Sequence, residues 1–448
     1  MPEALLAAAV GAGLLYCIWF FLRAGYLPQP FLYDVRAPLI GLYETAFWAN
    51  HDGTYGVGEN IYPPLSFVVA RLFSIHRCYA QSPIVGRACD MMARWVLLAF
   101  FTLNIALVYR AYRGLGVVAL TRTAAVALGL PMLYALECGN VIILTFTAFV
   151  LGCGDLLRSE WGRRIALVTA INFKPYLLVL LIPPLLRRRW VWVAWTCAAG
   201  AGLYGLTWAL QGGGSPAELL RNLEIYAAGV AHRPWSDVYY ATSFWPLIHY
   251  VASDYAVLGL AGPGGAGAWV LVLEILMRLA QAGVAISLFA AAARPRSADV
   301  NRLSAMILAM VLTTIVTGQS GYVQIFLFFL IFREPWRGAA RITILSAAYL
   351  LCIPADITIL PVIHGSAHSV LGGRDVSIVF GVSVGQLARP AVLLVIQYGL
   401  IYLNLADALS VKAGSAPADA RFLVSSPEFA TPFARDDIGK PRGAEPAS

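Results

Sequence analysis

Apolar stretches about 20 residues long recur along nearly the whole chain, and they restrict what it can fold into. A helix of that length is what crosses a hydrocarbon core about 30 Å thick. Hydrophobic residues make up 59% of the 448 residues and charged residues only 12%, whereas a water-soluble domain carries roughly 25% charged residues. The pattern predicts an all-α, polytopic membrane protein with roughly 10–13 transmembrane helices.

The basic charge of the chain does not indicate a nucleic-acid-binding protein. The formal net charge is +8, but the arginines lie between apolar stretches, as the positive-inside rule predicts. The sequence lacks the polar domain with basic patches and interleaved aromatic residues that is typical of nucleic-acid binding. It also lacks the Cys-x-x-Cys and His-Glu-x-x-His spacings of metal sites. We therefore expect a lipid bilayer as a partner, and neither nucleic acid nor a metal.

The hydropathy pattern divides the chain into a membrane domain, residues 1–410, and a tail. Residues 411–448 are rich in Ala, Pro and Ser without periodicity, which predicts a disordered cytoplasmic tail. The first apolar stretch follows an acidic start, whereas a secretory signal begins with basic residues, so we expect an uncleaved span. The short stretch 321–332 predicts a weak or broken crossing. The predicted crossings are 4–22, 92–109, 117–136, 139–157, 190–210, 268–292, 303–317, 321–332, 342–360 and 379–405.

Residues 164–186 form an apolar stretch that carries arginine clusters on both sides. A straight span would place one of the two clusters on the outer face. Lys174-Pro175 lies at the middle of the stretch, and proline breaks the hydrogen-bond ladder of a helix. The sequence therefore predicts a re-entrant hairpin with Lys174 near its apex. Such backbone breaks are tolerated where they line a cavity in the protein.

With this hairpin, the arginine clusters fall on the cytoplasmic side of a plasma (inner) membrane. The outer side then receives residues 23–91, which we name the first outer loop, together with 211–267 and 361–378. Glu3 before the first span and Arg23 after it favour the opposite orientation locally, but the downstream clusters outnumber them. Cys78 and Cys89 lie in the first outer loop, where an oxidising compartment permits a disulfide. Their spacing alone leaves the pairing open.

Four carboxylates in the part of the first outer loop that precedes Tyr62 are candidates for chemistry. A carboxylate beside an apolar surface tends to hold or accept a proton, as a general base must. Asp34 follows the first span most closely, although it is also placed to cap a short helix or to pair with Arg36. The other candidates for the base are Glu44, Asp52 and Glu59. In the same loop, Tyr62-Pro63-Pro64-Leu65 predicts a rigid start for a helix lying in the interface plane.

Lys174 is a cation within about 20 apolar residues, and such intramembrane charges are functional hypotheses by default. Its natural partner is an anionic lipid phosphate, and the alternative is snorkelling to the nearer interface. Glu274 and Arg278 are four residues apart on one helix and are expected to pair with each other. His249, near the outer face, is more typical of a hydrogen-bonding partner than of a catalyst.

Several short motifs together resemble a known group of enzymes. Asp34 after the first span, Gly53-Thr54-Tyr55, and Tyr62-Pro63-Pro64-Leu65 resemble the first outer loop of GT-C glycosyltransferases. The chain is most similar to the polyprenyl-phosphate-mannose-dependent mannosyltransferase family. Gly139-Asn140 and Ile171-Asn172-Phe173-Lys174-Pro175 resemble later elements of that family. The resemblance covers about residues 30–190, with fainter likeness in Thr242-Ser243 and Gln319-Ser320-Gly321-Tyr322.

The resemblance implies transfer of a sugar from a polyprenyl-phosphate donor to a hydroxyl of a lipid or polysaccharide, with inversion at the anomeric carbon. It would make Asp34 the general base, and no cofactor or metal is expected. Tyr322 stands where relatives often carry a histidine, and Ala241-Thr242-Ser243 replaces an Asn-Gln-Ser-like element, so the sugar stays open between mannose, arabinose, galactose and others. The donor-binding candidates are Lys174, Arg36, Asn140 and Tyr62. The acceptor or auxiliary candidates are Glu44, Asp52, Glu59, His249 and Tyr322.

Two other functions are compatible with a multi-span chain. A polysaccharide polymerase or ligase using diphosphate-linked oligosaccharides needs paired arginines in outer loops. A lipid or solute transporter needs charged groups from several helices along a midplane pathway, and few such groups are present. The arginines that support the first alternative are Arg71, Arg77, Arg87, Arg221 and Arg233.

Overall fold

The computed structural model describes residues 2–31, 35–36, 38–231, 240–244, 265–294, 299–314 and 321–410. Asp34 and His249 lie outside these ranges, as does the tail 411–448. Helices dominate the described chain, and its sheet is a single two-stranded hairpin. The predicted all-α class is therefore confirmed.

The first half of the chain combines long helices with short ones that lie in the first outer loop. Three 3-10 turns, at His76–Tyr79, Arg113–Leu115 and Pro175–Leu181, connect them. The helices are α1 (Pro2–Ala24), α2 (Ile40–Ala49), α3 (Pro64–Leu72), α4 (Pro83–Cys89), α5 (Met91–Tyr112), α6 (Val118–Ala127), α7 (Leu130–Glu137), α8 (Ile142–Cys153), α9 (Glu160–Phe173), α10 (Ile182–Leu186) and α11 (Trp190–Gln211).

The second half adds the hairpin between its last two helices. Strand β1 (Thr358–Ser369) pairs antiparallel with β2 (Arg374–Ser383), and a 3-10 turn at Gly321–Val323 precedes α15. The helices are α12 (Pro216–Ala231), α13 (Gly265–Ala293), α14 (Val300–Thr314), α15 (Gln324–Ile331), α16 (Ala339–Leu351) and α17 (Val384–Ser410).

Length and composition identify the helices that can cross a membrane. In the described ranges, shorter apolar helices of 10–17 residues accompany the long ones, so the chain is a polytopic membrane protein. The total of 10–13 crossings stays a prediction. The five stretches that are long and apolar enough to cross are Pro2–Ala24, Met91–Leu115, Val118–Glu137, Leu271–Ala293 and Val384–Leu409.

The stretch Val118–Glu137 can cross a membrane as predicted, and it consists of two helices because Gly129 precedes a new helix with Pro131 in its first turn. The structure corrects the predicted boundaries in two other places. The crossing predicted at 342–360 is wrong beyond Leu351, where the chain becomes extended. Residues 361–378, predicted as a loop, form most of the hairpin, and 379–383 belong to β2 instead of a helix. β-branched residues in both strands and the glycines Gly372-Gly373 between them favour the hairpin.

A buried ion pair explains the acidic start of the chain. The Arg122 Nε atom lies 2.6 Å from Glu3 Oε1, and both side chains are almost completely buried. Arg122 also donates to the carbonyl of Glu334, whose carboxylate binds Arg302 and Arg341. The start of α1 thus lies at the arginine-rich end of the bundle, and its acid is neutralised there. The ion pair accounts for Glu3, whereas Arg23 still follows the first span.

The chain reverses around Lys174 as predicted, whereas its re-entry into a membrane stays a prediction. Helix α9 ends at Phe173, and the 3-10 turn and α10 lead the chain back. The guanidinium of Arg164, near the start of α9, lies 5.7 Å from the ring centroid of Trp192, near the start of α11. The two arginine clusters therefore share one end of the bundle.

The opposite end of α1 leads into the first outer loop, and the β hairpin holds this segment in place. Ser369 Oγ donates to the Gly25 carbonyl at 2.6 Å, and Gln29 Nε2 donates to the Gly381 carbonyl at 2.8 Å. The Val370 N–H donates to the Val35 carbonyl at 3.1 Å. The hairpin is thus bonded along the chain on both sides of the position of Asp34.

A disulfide joins Cys78 to Cys89 within the first outer loop, so the pairing that the sequence left open is present. Next to it, the buried Asp90 accepts hydrogen bonds from the Ile75 N–H and the Tyr79 hydroxyl, and it caps the start of α5. The disulfide and this carboxylate fix the end of the loop to the membrane helix that follows.

Candidate active site

Lys174 is the buried cation around which the candidate site is built. Helix α9 stops at this position because Pro175 has no N–H to continue the ladder. The Lys174 residue is only 7% exposed. Its Nζ atom lies 4.3 Å from the centroid of the Tyr62 ring, a distance at which a cation is attracted to the ring face. Among the described residues no carboxylate pairs with it.

Asn140 connects Tyr62 to a distant part of the chain. Its Nδ2 atom donates to the Tyr62 hydroxyl at 3.0 Å and to the Tyr322 hydroxyl at 3.1 Å. Its Oδ1 atom accepts from the Ile142 N–H at 3.0 Å, which fixes the amide orientation. The preceding Gly139 has φ +64°, and a Cβ there would lie 2.6 Å from the Leu39 carbonyl oxygen, so glycine is required.

The sequence around Tyr62 places its ring between Lys174 and Asn140. The Tyr55 hydroxyl donates to the Tyr62 carbonyl at 2.9 Å. Asn222, on α12, donates to the carbonyls of Tyr55 and Asn60, so α12 fastens this turn. Pro63 caps α3 and Pro64 is its first residue, which confirms the predicted helix start.

An apolar pocket is lined in part by chain neighbours of this cluster. It comprises about 410 Å³ of space between atoms, part of it open to solvent, and is lined mainly by side chains of α2, α3 and α5. Two further lining residues, Val141 and Phe173, are the chain neighbours of Asn140 and Lys174. The backbone at Asn140 and at Lys174 is therefore continuous with residues that line an apolar pocket.

Comparison with known families decides the class of protein. Residues 60–318, more than half of the chain, match glycosyltransferase family 87. The chain belongs to glycosyltransferase family 87. It is therefore an enzyme. The match supports the predicted GT-C type of glycosyltransferase, but it does not confirm the narrower resemblance to mannosyltransferases. No curated protein and no solved structure matches the chain.

The matched part of this family 87 enzyme contains Tyr62, Asn140 and Lys174, and Tyr322 lies just beyond its end. Four of the predicted site residues thus come together in the structure. Their neighbour Tyr176 was missed by the sequence analysis. Its hydroxyl is buried without a hydrogen-bond partner, and it is close enough to Tyr62 for the two phenols to interact electrostatically. The sequence feature that could have indicated Tyr176 is its position two residues after Lys174 and directly after Pro175.

Other predicted residues are not joined to this cluster. Arg36 is exposed, and the contact described for it is with Arg87, which donates to its backbone carbonyl. Asp52 and Glu59 are exposed on the turns before Tyr62, and no described contact brings them to Lys174. Glu44 lies on α2 with its side chain largely exposed, yet desolvation by nearby protein atoms raises the pKa of its carboxyl.

The polar groups of the described site are one ammonium, one amide and several phenols. These groups bind an anion and hydroxyls well. Within the described ranges, no group of three or more His, Cys, Asp or Glu side chains is arranged to hold a metal ion. The site thus presents recognition groups for a charged, hydroxyl-bearing ligand beside an apolar pocket.

Proposed function

We propose that this family 87 enzyme transfers a monosaccharide, mannose or a similar sugar, from a polyprenyl-phosphate donor to an acceptor hydroxyl on a lipid or polysaccharide. The observation that carries the proposal is the buried Lys174, which has no carboxylate partner among the described residues and whose chain neighbour Phe173 lines an apolar pocket. A buried cation is costly, and a lipid phosphate neutralises it. That pocket supplies apolar surface for the prenyl chain.

The tyrosine and amide groups orient the donor once its phosphate is bound. A charge-assisted hydrogen bond from Lys174 to a phosphate oxygen is stronger than a neutral one. Tyr62 holds the ammonium from one side, while Asn140 fixes the Tyr62 ring. Because negative charge grows on the phosphate as the sugar leaves, Lys174 stabilises the transition state more than the ground state.

The transfer is a single displacement with inversion. Asp34 takes the proton of the acceptor hydroxyl, and the acceptor oxygen forms a bond to the anomeric carbon. The bond between that carbon and the phosphate oxygen breaks, and its electron pair leaves with polyprenyl phosphate. The proton remains on the Asp34 carboxyl until solvent removes it. This step requires no cofactor or metal.

We place the site at the outer, periplasmic side of the plasma membrane. The arginine-rich end of the bundle, with Arg122 and Arg164, then faces the cytoplasm. The Cys78–Cys89 disulfide supports this orientation, because disulfides persist in oxidising compartments.

The test uses the purified protein in lipid nanodiscs with synthetic polyprenyl-phosphate [¹⁴C]mannose and octyl α-mannoside as acceptor. We expect label to enter the acceptor, and we expect none from GDP-[¹⁴C]mannose. Label transferred from the nucleotide sugar and not from the lipid would overturn the proposal. The same assay with arabinose and galactose donors identifies the sugar.

A further inference from the structure

We infer that Arg389 and Tyr240 are positioning residues, which hold Tyr322 in place within the candidate active site. Tyr322 belongs to that site because its hydroxyl accepts a hydrogen bond from the Asn140 amide at 3.1 Å. The inference rests on the proposed function, because it takes the site to bind the sugar donor. We expect loss of either positioning residue to weaken donor binding although the groups proposed to contact the donor are unchanged.

A buried ion pair lies at the base of the β hairpin. The Arg389 Nη2 atom, near the start of α17, lies 2.8 Å from Asp356 Oδ2, and both side chains are buried. The Asp356 carboxylate also accepts hydrogen bonds from the Ser383 hydroxyl at 2.6 Å and from the Gly385 N–H at 2.8 Å. It thus binds the end of β2 and the first turn of α17 together, and this fixed carboxylate orients the Arg389 guanidinium.

The guanidinium of Arg389 lies over the ring of Tyr240. Its Cζ atom is 5.3 Å from the ring centroid, within the range at which a cation is attracted to an aromatic face. The Tyr240 side chain is completely buried, and its ring meets the Tyr134 ring edge to face with centroids 5.2 Å apart. The Tyr134 ring in turn stacks on Tyr322, with centroids 6.1 Å apart. One aromatic ring therefore connects Tyr240 to the site.

Tyr240 also packs directly on the backbone beside Tyr322. A Cβ atom at Gly321 would lie 2.3 Å from the Tyr240 Cγ and Cδ2 atoms. The ring therefore occupies the space of any side chain at this position, and a close-packed interior does not yield without a shift. Gly321 and Tyr322 share the 3-10 turn Gly321–Val323. The Tyr240 ring thus determines where this turn lies, and with it the position of the Tyr322 hydroxyl.

The chain contains a second buried ion pair that separates positioning from stability. The Glu3–Arg122 pair is buried as deeply as the Asp356–Arg389 pair. Removing one partner of a buried ion pair is destabilising at either place. The first pair lies at the arginine-rich end of the bundle, whereas the second contacts Tyr240. A loss of stability in both cases, with a loss of donor binding only in the second, is the result that a positioning role predicts.

The first experiment measures the donor KM for polyprenyl-phosphate mannose in nanodiscs, with octyl α-mannoside as acceptor, below the melting transitions of all variants. We expect Arg389→Gln and Tyr240→Leu to raise the donor KM about fivefold or more, and Glu3→Gln to stay within about twofold of wild type. Arg389→Lys and Tyr240→Phe, which keep the charge and the ring, should restore the wild-type value. A wild-type donor KM in Tyr240→Leu, or an equal rise in Glu3→Gln, would overturn the inference. Tyr240→Leu leaves the ion pair intact, so it decides the matter where Arg389→Gln does not fold.

The contact between Tyr240 and Gly321 gives an independent test. Gly321→Ala should raise the donor KM in the wild-type background, because the added methyl group displaces either the ring or the turn. In the Tyr240→Ala background the methyl group enters space that the ring has left, so it should add little further. Residues in direct contact are expected to be non-additive in this way. Additive effects of the two substitutions on the donor KM would contradict the proposed contact.

A measurement without donor separates this inference from the proposed function. The full chain is made with 3-fluorotyrosine at position 322, and its ¹⁹F resonance is recorded in nanodiscs. We expect Arg389→Gln, which removes no ring, and Tyr240→Leu to shift the resonance, while Glu3→Gln leaves it unchanged. Shifted resonances combined with no turnover of any polyprenyl-phosphate sugar refute the donor proposal and retain the positioning role. An unchanged resonance in Arg389→Gln, or in Tyr240→Leu where Arg389→Gln does not fold, refutes the positioning role, whatever donor is used.

Discussion

The Lys174 ammonium lies 4.3 Å from the centroid of the Tyr62 ring, with no carboxylate to neutralise it among the residues that the structure describes. Tyr62 shares the Asn140 amide with Tyr322, so a single buried charge is connected to the first outer loop, the start of α8 and the start of α15. Because these elements come from distant parts of the chain, the position of the cation depends on tertiary packing between them.

Replacing Lys174 with Met is expected to weaken donor binding selectively. A hydrogen bond to a charged group contributes about 1.5–3 kcal/mol, so the donor KM should rise about 10- to 100-fold. The melting temperature should not fall, because the substitution removes a buried charge. Arg278→Met, at an exposed cation on α13, is the control and should leave the donor KM unchanged. A wild-type donor KM in Lys174→Met would remove Lys174 from the donor site.

Replacing Asp34 with Asn is expected to remove the general base while keeping donor affinity. The turnover number should fall by about 10²–10⁴, and donor binding, measured by co-purified lipid, should remain. Glu44→Gln, Asp52→Asn and Glu59→Gln are the matched carboxylate controls and should retain turnover. If one of these three loses turnover instead, the role of base belongs to that residue.

The Asn140 amide is expected to matter for both stability and catalysis. Asn140→Ala removes three side-chain hydrogen bonds, those to the Tyr62 and Tyr322 hydroxyls and that from the Ile142 N–H, at a cost of about 1–3 kcal/mol of unfolding free energy. Tyr322→Phe removes one partner and keeps the bond to Tyr62, so its effect on kcat/KM should be smaller. The two effects are compared by thermal unfolding and by donor titration. Equal kinetics in all three proteins would show that the amide has only a structural role.

Breaking the Glu3–Arg122 pair is expected to destabilise the fold. Removing one partner of a buried ion pair costs about 3–5 kcal/mol, so Glu3→Gln should lower the melting temperature clearly. Glu274→Gln breaks an exposed pair, 3.8 Å from Arg278, and exposed pairs contribute about 0–1 kcal/mol. Similar melting temperatures for the two variants would contradict the burial argument.

The disulfide gives a direct test of the orientation. Of the seven cysteines, five are free, so a maleimide-polyethylene glycol reagent should add five units to the denatured protein and seven after reduction. In intact spheroplasts, an impermeant reductant should be sufficient to expose Cys78 and Cys89 to an impermeant maleimide. The Cys78→Ser, Cys89→Ser double variant supplies the background. Labelling that requires membrane permeabilisation would reverse the proposed topology.

Features governed by local chemistry could be predicted from the sequence. Pro63-Pro64 gave the start of α3, Lys174-Pro175 gave the reversal of the chain, and the four-residue spacing of Glu274 and Arg278 gave their ion pair. Each of these depends on neighbours along the chain, where backbone geometry leaves few alternatives. The class of enzyme followed from several such short motifs taken together.

Features that depend on distant segments could not be predicted. Nothing local in Tyr322 indicates that its hydroxyl meets Asn140, or that Arg122 reaches Glu3. Arg36 was expected near the donor phosphate from the family resemblance, and that role stays a prediction for a residue that the structure leaves exposed. The β hairpin was missed because its apolar residues resemble the membrane spans on either side of it.

The late position of the β hairpin in the chain sets the order in which this enzyme matures. Residues 25–35 leave the ribosome early, whereas the strands that fasten them end at Ser383. A nascent chain halted before Thr358 inserts its first spans with that loop unfastened. If the proposed base needs this fastening, we expect activity only when synthesis is nearly finished, and truncated fusions used to map topology should report insertion without activity.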